Sequence, residues 1–219
     1  MSKCPPPADP IRSEWEKGTP ADQSSAERRI VWGMAEKRGA TYEDLLAVPD
    51  TKVAEIIDGL LIVSPRPAGP HTVAASALMA QLGRPFMFGE EDPGGWWIVL
   101  EPELHFGSDI LVPDLAGWRR ERMQDYPRAA YLELAPDWVC EIVSPGSQRL
   151  DRTEKLPIYA REGVFHAWMI DPEAETLEVL RLVQGQWALS SSHAGEEEVR
   201  AEPFHQVPLR LRSIWRPGA

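Results

Sequence analysis

The sequence predicts a mixed α/β fold: a β-sheet core flanked by helices, with a hairpin towards each end. Three observations predict it. Short apolar runs with strand character recur from residue 53 to residue 191. Between them stand segments with three- and four-residue apolar spacing, opened by residues of helix-capping type. Strands interleaved with helices in this order place helices against a sheet. A length of 219 residues suits one such domain with a real core.

Each element has a local reason. Residues 1–22 hold five prolines among polar residues and read as a disordered or loosely docked tail, leaving 23–219 as a single domain. Residues 24–38 are expected to form a short helix. Thr41-Tyr-Glu-Asp44 reads as a capping box opening a helix through Val48, ended by Pro49. Val53 to Ile57 and Leu60 to Ser64 read as a hairpin joined at Asp58-Gly59, since glycine accepts positive φ in a two-residue turn. After a proline-rich connector, His71 to Leu82 has helical spacing through Val73, Ala77 and Ala80. Residues 85–95 read as a loop.

Trp96 to Phe106 reads as one strand, turned at Gly107-Ser-Asp109 into a second over Leu111 to Trp118. Arg119-Arg-Glu-Arg122 is a charged, solvated segment. Trp138 to Val143 is a third strand. Asp151-Arg-Thr-Glu154 resembles a capping box for a helix through Glu162, weakened or bent by Pro157 and stopped at Gly163. His166 to Ile170 is a further strand, and Leu177 to Leu182 with Trp187 to Ser191 forms a second hairpin around Gly185.

Composition limits the function. Lys+Arg total 23 against 34 Asp+Glu, a net charge of −11, which counts against nucleic-acid binding by bulk electrostatics. It leaves a nuclease open, because a metal-binding acid cluster is itself negative and bound divalent ions reverse the local sign. Cys4 and Cys140 are too few and too scattered for a disulfide framework or a zinc site. No apolar run reaches transmembrane length and no leader pattern is visible, so a cytoplasmic protein is expected. Most of the nine tryptophans are expected in the core or as interface anchors.

Two acids stand in mid-run on apolar strands: Asp114 after Val112-Pro113, and Glu141 between Cys140 and Ile142. A buried carboxylate needs a charge partner or a metal. Lys155 follows on the next helix. Two acids and a cation are the minimum kit of a divalent-metal phosphodiesterase, in which charge on the phosphate is neutralised and a water is aimed. Adjacent strands lie about 4.8 Å apart, so Asp114 and Glu141 at one level can share a Mg²⁺ or Mn²⁺ ion, and the Ile142 carbonyl can add a backbone ligand. Arg152, Lys155 and Tyr159 fall on one side of a helix. Glu55 can join the acids from the first hairpin, and His71 can meet phosphate or move a proton. Each residue also has a bland reading: Asp114 as a strand-end residue, Lys155 as a solvated helix lysine, and Asp151 as an N-cap.

At these residues the chain resembles the Uma-two family of restriction-endonuclease-like proteins, in the PD-(D/E)XK nuclease superfamily. The matching stretches are Glu55-Ile-Ile-Asp-Gly59, Ser64-Pro65 with His71, Val112-Pro-Asp114, Pro136 to Pro145, and Asp151 to Lys155 with Tyr159; Gly163-Val164, Trp168 and Asp171-Pro172 also match. The resemblance implies a restriction-endonuclease-like mixed sheet with flanking helices, and a Mg²⁺-dependent endonuclease acting on DNA. It maps the metal-binding acids to Asp114 and Glu141 and gives Glu55 a further place in the site. The lysine usual two residues after the second acid is Val143 here; in similar relatives it has moved to the next helix, which maps to Lys155. A homodimer, in contact through exposed tryptophans and the C-terminal hairpin, is expected. The competing expectation, motivated by the acidic charge and by Val143, is a non-catalytic interaction or nucleic-acid-binding protein on a nuclease scaffold. An RNA-processing nuclease is a third, without an aromatic-basic motif to favour it.

Overall fold

The computed structural model describes residues 35–67, 69–89 and 93–216, the first four by backbone alone. The tail expected over 1–22 lies outside the described residues, as does most of the helix expected over 24–38. The chain starts with β1 (Ala35–Arg38), α1 (Tyr42–Leu46), β2 (Lys52–Ile57) and β3 (Leu60–Pro65). β1 corrects the end of that expected helix: Ala35 to Arg38 pairs antiparallel with Val63 to Leu60, so a ladder partner overrides local propensity. At α1 the Thr41 amide donates to the Asp44 carboxylate at 3.0 Å, as its capping box requires, and the helix stops two residues earlier than expected. The β2–β3 turn has φ of 49° at Asp58 and 72° at Gly59, the mirror-image turn the dipeptide favours.

α2 (Pro70–Leu82) buries Ala74, Leu78 and Leu82, one position on from the stripe read through Val73 and Ala77; Val73 is exposed. It runs into a wide helical turn, Gly83–Met87, which takes up the first three residues of the loop expected over 85–95. Next come β4 (Trp96–Leu100), β5 (Leu104–Phe106), β6 (Asp109–Leu111) and β7 (Leu115–Arg119). The two long strands expected over 96–106 and 111–118 are thus each broken. β4 pairs with β7 in one sheet and β5 with β6 in another. The breaks fall at Pro102 and Pro113, which have no amide to give a ladder.

β8 (Trp138–Ile142) leads into a helical crossover: α3 (Gln148–Leu150), a π-helical turn (Asp151–Lys155) and α4 (Leu156–Arg161). β9 (His166–Asp171) then lies parallel to β8. β10 (Thr176–Val183) and β11 (Gln186–Ala194) form the second hairpin, followed by β12 (Glu198–Val199), β13 (Leu209–Arg210) and α5 (Leu211–Trp215). Asp151 is therefore inside a helical segment and not its cap. Pro157 widens that segment without ending it. The Leu156 amide reaches back five residues to the Asp151 carbonyl, just ahead of the proline that has no amide for Thr153.

The larger sheet has the order β11-β10-β9-β8-β7-β4, and a five-stranded sheet the order β1-β3-β2-β6-β5. One face of β8, with Trp138, Cys140 and Ile142, packs on α2 and α5. On its other face Val139 and Val143 meet Leu156, Ile158 and Tyr159 of α4, and the inner face of the five-stranded sheet through Ile57, Leu104 and Leu111. Glu141 shares that second face by strand alternation. α1 covers the far side of the smaller sheet through Leu45, over Ile56, Leu61 and Ile110. Among the described residues no helix is long and apolar enough to cross a membrane.

The described tryptophans are core or half-buried. Trp118, Trp138 and Trp168 have no exposure, and the indoles of Trp97, Trp187 and Trp215 donate to the carbonyls of Met123, Leu156 and Gly195. An exposed-tryptophan contact is thus not found among the described residues. Gly117 on β7 sits between two of these rings: a Cβ there would lie 3.1 Å from Trp138 and 3.3 Å from Trp96. Gly117→Ala is expected to cost about 1–3 kcal/mol by overpacking, read from a urea melt.

Candidate active site

The antiparallel register of β7 and β8 pairs Leu115 with Cys140 and Ala116 with Val139. One step further sets Asp114 level with Glu141. Asp114 has left the ladder after Pro113, and its carboxylate bridges two elements. Oδ2 accepts from the Ile142 amide at 2.7 Å, and Oδ1 lies 3.1 Å from Nε2 of His71, at the start of α2. Glu141 is held from above by the crossover helix. Its Oε1 lies 2.8 Å from the Lys155 ammonium and accepts from the Tyr159 hydroxyl at 2.7 Å.

Glu55 arrives from β2. Its Oε1 lies 3.1 Å from the same ammonium and accepts from the Val112 amide at 2.8 Å. Lys155 also donates to the Val112 carbonyl at 3.2 Å, so both peptide groups of Val112, on the crossing between the two sheets, are pinned to the cluster. Asp151 stands one turn before Lys155, with Oδ1 at 3.8 Å.

The structure therefore brings Asp114, Glu141, Lys155, Glu55, Tyr159 and His71 together. The Lys155 and Glu141 side chains are only 4% and 3% exposed, so the ammonium points into the acids and away from solvent. Arg152 is not in the group. It pairs with Glu178 on β10 at 2.6 Å, because the wide turn aligns Asp151, in its stead, with Lys155. Asp151 is the member that sequence reading missed; its spacing four residues before Lys155 was the available signal. Two other buried acids are structural: Asp109 accepts from the Asp58 amide and pairs with Arg161, and Asp137 accepts from the Arg119 amide and pairs with Arg122.

The cluster opens to solvent on one side. A cleft of about 300 Å³, lined by Arg66, His71, Thr72, Ser76, Glu101 and Asp114, reaches it there.

A family model described as "Putative restriction endonuclease", Uma2, matches residues 40–212. The chain belongs to the Uma2 family. A crystal structure titled as a putative nuclease belonging to DUF820, from Anabaena variabilis, is similar at 24% identity and a TM-score of 0.64, covering 80% of this chain and 97% of that one. The two share one mixed α/β fold. No curated protein matches the chain. In this Uma2 chain the residue two places after Glu141, Val143, is core, packed with α4, and cannot hold a water. Lys155, at the end of the π-helical turn that leads into α4, brings its ammonium to Glu141 from above.

Three carboxylates, Glu141, Glu55 and Asp151, face one ammonium, and the charges show it. Burial opposes the Lys155 charge, yet Glu141 and Glu55 raise its pKa well above the usual lysine value. Burial raises Glu141 well above the carboxylate range; Lys155 pulls it down, while Asp151, Asp114 and Glu55 push it up. Both shifts have one origin: a buried cluster with excess negative charge holds its protons. Burial raises Asp151 to about 6 and Tyr159 well above its usual value. Burial opposes charge on His71, but the Asp114 hydrogen bond and charge outweigh it, and the pKa is raised.

Such a donor set, hard oxygens in excess of local positive charge, fits a divalent cation. Among the described residues, no group of three or more His, Cys, Asp or Glu side chains is arranged to hold a metal as it stands. Mg²⁺ needs only one or two protein carboxylates and keeps several waters, so Asp114 and Glu141 remain a sufficient pair by chemistry.

Proposed function

We propose that this protein is a Mg²⁺- or Mn²⁺-dependent endonuclease that hydrolyses DNA phosphodiester bonds. One observation carries the reading. Lys155, supplied by the crossover helix, stands 2.8 Å from Glu141 and 3.1 Å from Glu55, with Asp114 opposite Glu141 in register. Asp114, Glu141 and the Ile142 carbonyl are the groups that would hold the metal. A divalent ion bound there supplies charge neutralisation at the scissile phosphate and a more acidic water.

The chain's own residues do the rest. Lys155 orients the attacking water, and its charge draws the pKa values of Glu141 and Asp151 down against the burial that raises them. Tyr159 fixes Glu141 through its hydroxyl, and Glu55 fixes Lys155. His71 faces the open cleft beside Asp114, where a substrate phosphate or leaving oxygen would lie; its Nδ1 is buried without a partner. The test is cleavage of supercoiled DNA by the purified protein. Nicked and linear products are expected with Mg²⁺ or Mn²⁺ and none with chelator. No cleavage of DNA under either metal would remove the reading.

A second reading keeps the scaffold without catalysis. It is favoured by the way one Glu141 oxygen is engaged by both Lys155 and Tyr159. Calorimetry separates the two: absence of Mg²⁺ and Mn²⁺ binding at millimolar concentration supports the second. The proposed homodimer rests on the β10–β11 hairpin, where Val183 and Leu189 are exposed. Two copies would address both strands of a duplex. A monomer by light scattering at working concentration would exclude it.

A further inference from the structure

The cleft beside Asp114 carries a charge arrangement that the proposed reaction does not use. Among its described lining residues Arg66 is the one permanent cation. Its Nη1 is bonded to the Glu101 carboxylate, which lines the same cleft, and its Nε donates to the Asp50 carbonyl at 3.2 Å.

Glu101 is set there by the backbone. It follows β4 directly, and its amide donates to the Asp114 carbonyl at 3.0 Å. Its φ of 45° lies in the left-handed region, where a residue with a Cβ seldom sits. A negative side chain is thus tied to the main chain of a proposed metal ligand and laid on the guanidinium beside it.

We propose that Arg66 is a contact for a nucleic-acid phosphate, and that in the free protein the Glu101 carboxylate occupies the phosphate's place. The inference rests on the nuclease reading above and deepens it. A guanidinium offers the same planar donor edge to a carboxylate and to a phosphate, so one can replace the other on Arg66 with little change of geometry. The exchange keeps Arg66 paired with one anion, while the displaced Glu101 carboxylate stays in the half-exposed rim of the cleft and turns to solvent. The displacement is easy, because the pair is exposed, at 49% for Arg66 and 37% for Glu101, and exposed pairs add little stability. Glu101 thereby raises the threshold for substrate in a chain whose net charge of −11 already discourages loose contact with nucleic acid.

The experiment measures DNA affinity by fluorescence anisotropy with a labelled duplex in Mg²⁺. All chains carry Glu141→Gln so that nothing is cut. Glu101→Gln keeps the shape and removes the charge; it is expected to tighten binding about 3- to 5-fold, the range set by opening one exposed pair. Arg66→Ala is expected to weaken binding about tenfold through loss of a charged hydrogen bond. In the Arg66→Ala chain the Glu101→Gln gain is expected to vanish. Glu101→Asn, whose side chain tolerates positive φ, checks the result if glutamine disturbs the loop. Unchanged or weaker binding by both Glu101 variants overturns the inference. So does an equal gain with and without Arg66, which would be generic charge removal. If no chain binds DNA at all, the nuclease reading falls and takes the inference with it; binding indifferent to residue 101 defeats the inference alone.

Discussion

Glu141→Gln is expected to lower metal-dependent DNA cleavage by about 10³-fold, the scale seen when one preorganised electrostatic group is removed from an active site. Glutamine keeps the length and branching of the side chain. Its carbonyl oxygen can still accept from Tyr159, which now donates at 2.7 Å, and from Lys155 at 2.8 Å. The negative charge is what disappears, and with it half of the carboxylate pair assigned to the metal. Stability should hold or rise. The wild-type carboxylate is buried and repelled by Asp151, Asp114 and Glu55, so removing its charge relieves the cluster. Nicking rates of the two purified proteins, beside their urea melts, decide the matter: equal rates would sink the catalytic assignment of Glu141. The same raised pKa predicts that wild-type activity falls towards acid pH, as Glu141 takes up a proton and loses the charge it is assigned to use.

The parts of this site that were legible in the sequence are those fixed by local chemistry. Asp58-Gly59 could only be a tight turn, and that turn sets β2 in register to deliver Glu55. The alternation along Trp138 to Ile142 put Glu141 on the face opposite Cys140, and the ladder keeps it there. What the sequence did not reveal was which sheet each strand joins. Residues 96–106, which alternate only in part, and 111–118 each read as one strand in spite of an internal proline, and periodicity does not report a change of ladder partner. The changes come at Pro102 and Pro113, and the second of them is what frees Asp114 to turn towards Ile142 and His71. Asp151 was misread for a related reason. The helix begins earlier, at Gln148, and a π-helical turn ahead of Pro157 carries Asp151 inward where a capping position would have left it at the surface. An acid in an apolar run was not diagnostic by itself, since Asp109 and Asp137 are equally buried and only brace loops. Glu141 is set apart by the ammonium it faces.

Lys155→Met should therefore be the most damaging single change to the fold. Methionine keeps an unbranched stem in the same space and deletes the charge, leaving Glu55, Glu141 and Asp151 without the cation that offsets them. Breaking a buried ion pair by removing one partner costs about 3–5 kcal/mol. The cost should depend on pH, with a definite sign. Asp151 is raised from 3.8 to about 6, so the folded protein binds its proton more tightly than the unfolded chain does. The stability that Asp151 contributes consequently falls as pH climbs from about 4 through about 6, and the raised Glu141 acts in the same direction. Without Lys155 the acids repel one another more strongly, and that fall steepens. Lys155 itself, with a raised pKa, stays charged throughout this range, so the wild-type protein keeps its offsetting cation at every pH tested. The gap between wild type and Lys155→Met should be smallest near pH 4, where the raised Glu141 and Asp151 can be neutral, and largest at pH 8. Urea melts at the two pH values measure it. An equal gap at both would mean that Lys155 contributes packing alone, and the electrostatic account of the cluster would have to be abandoned.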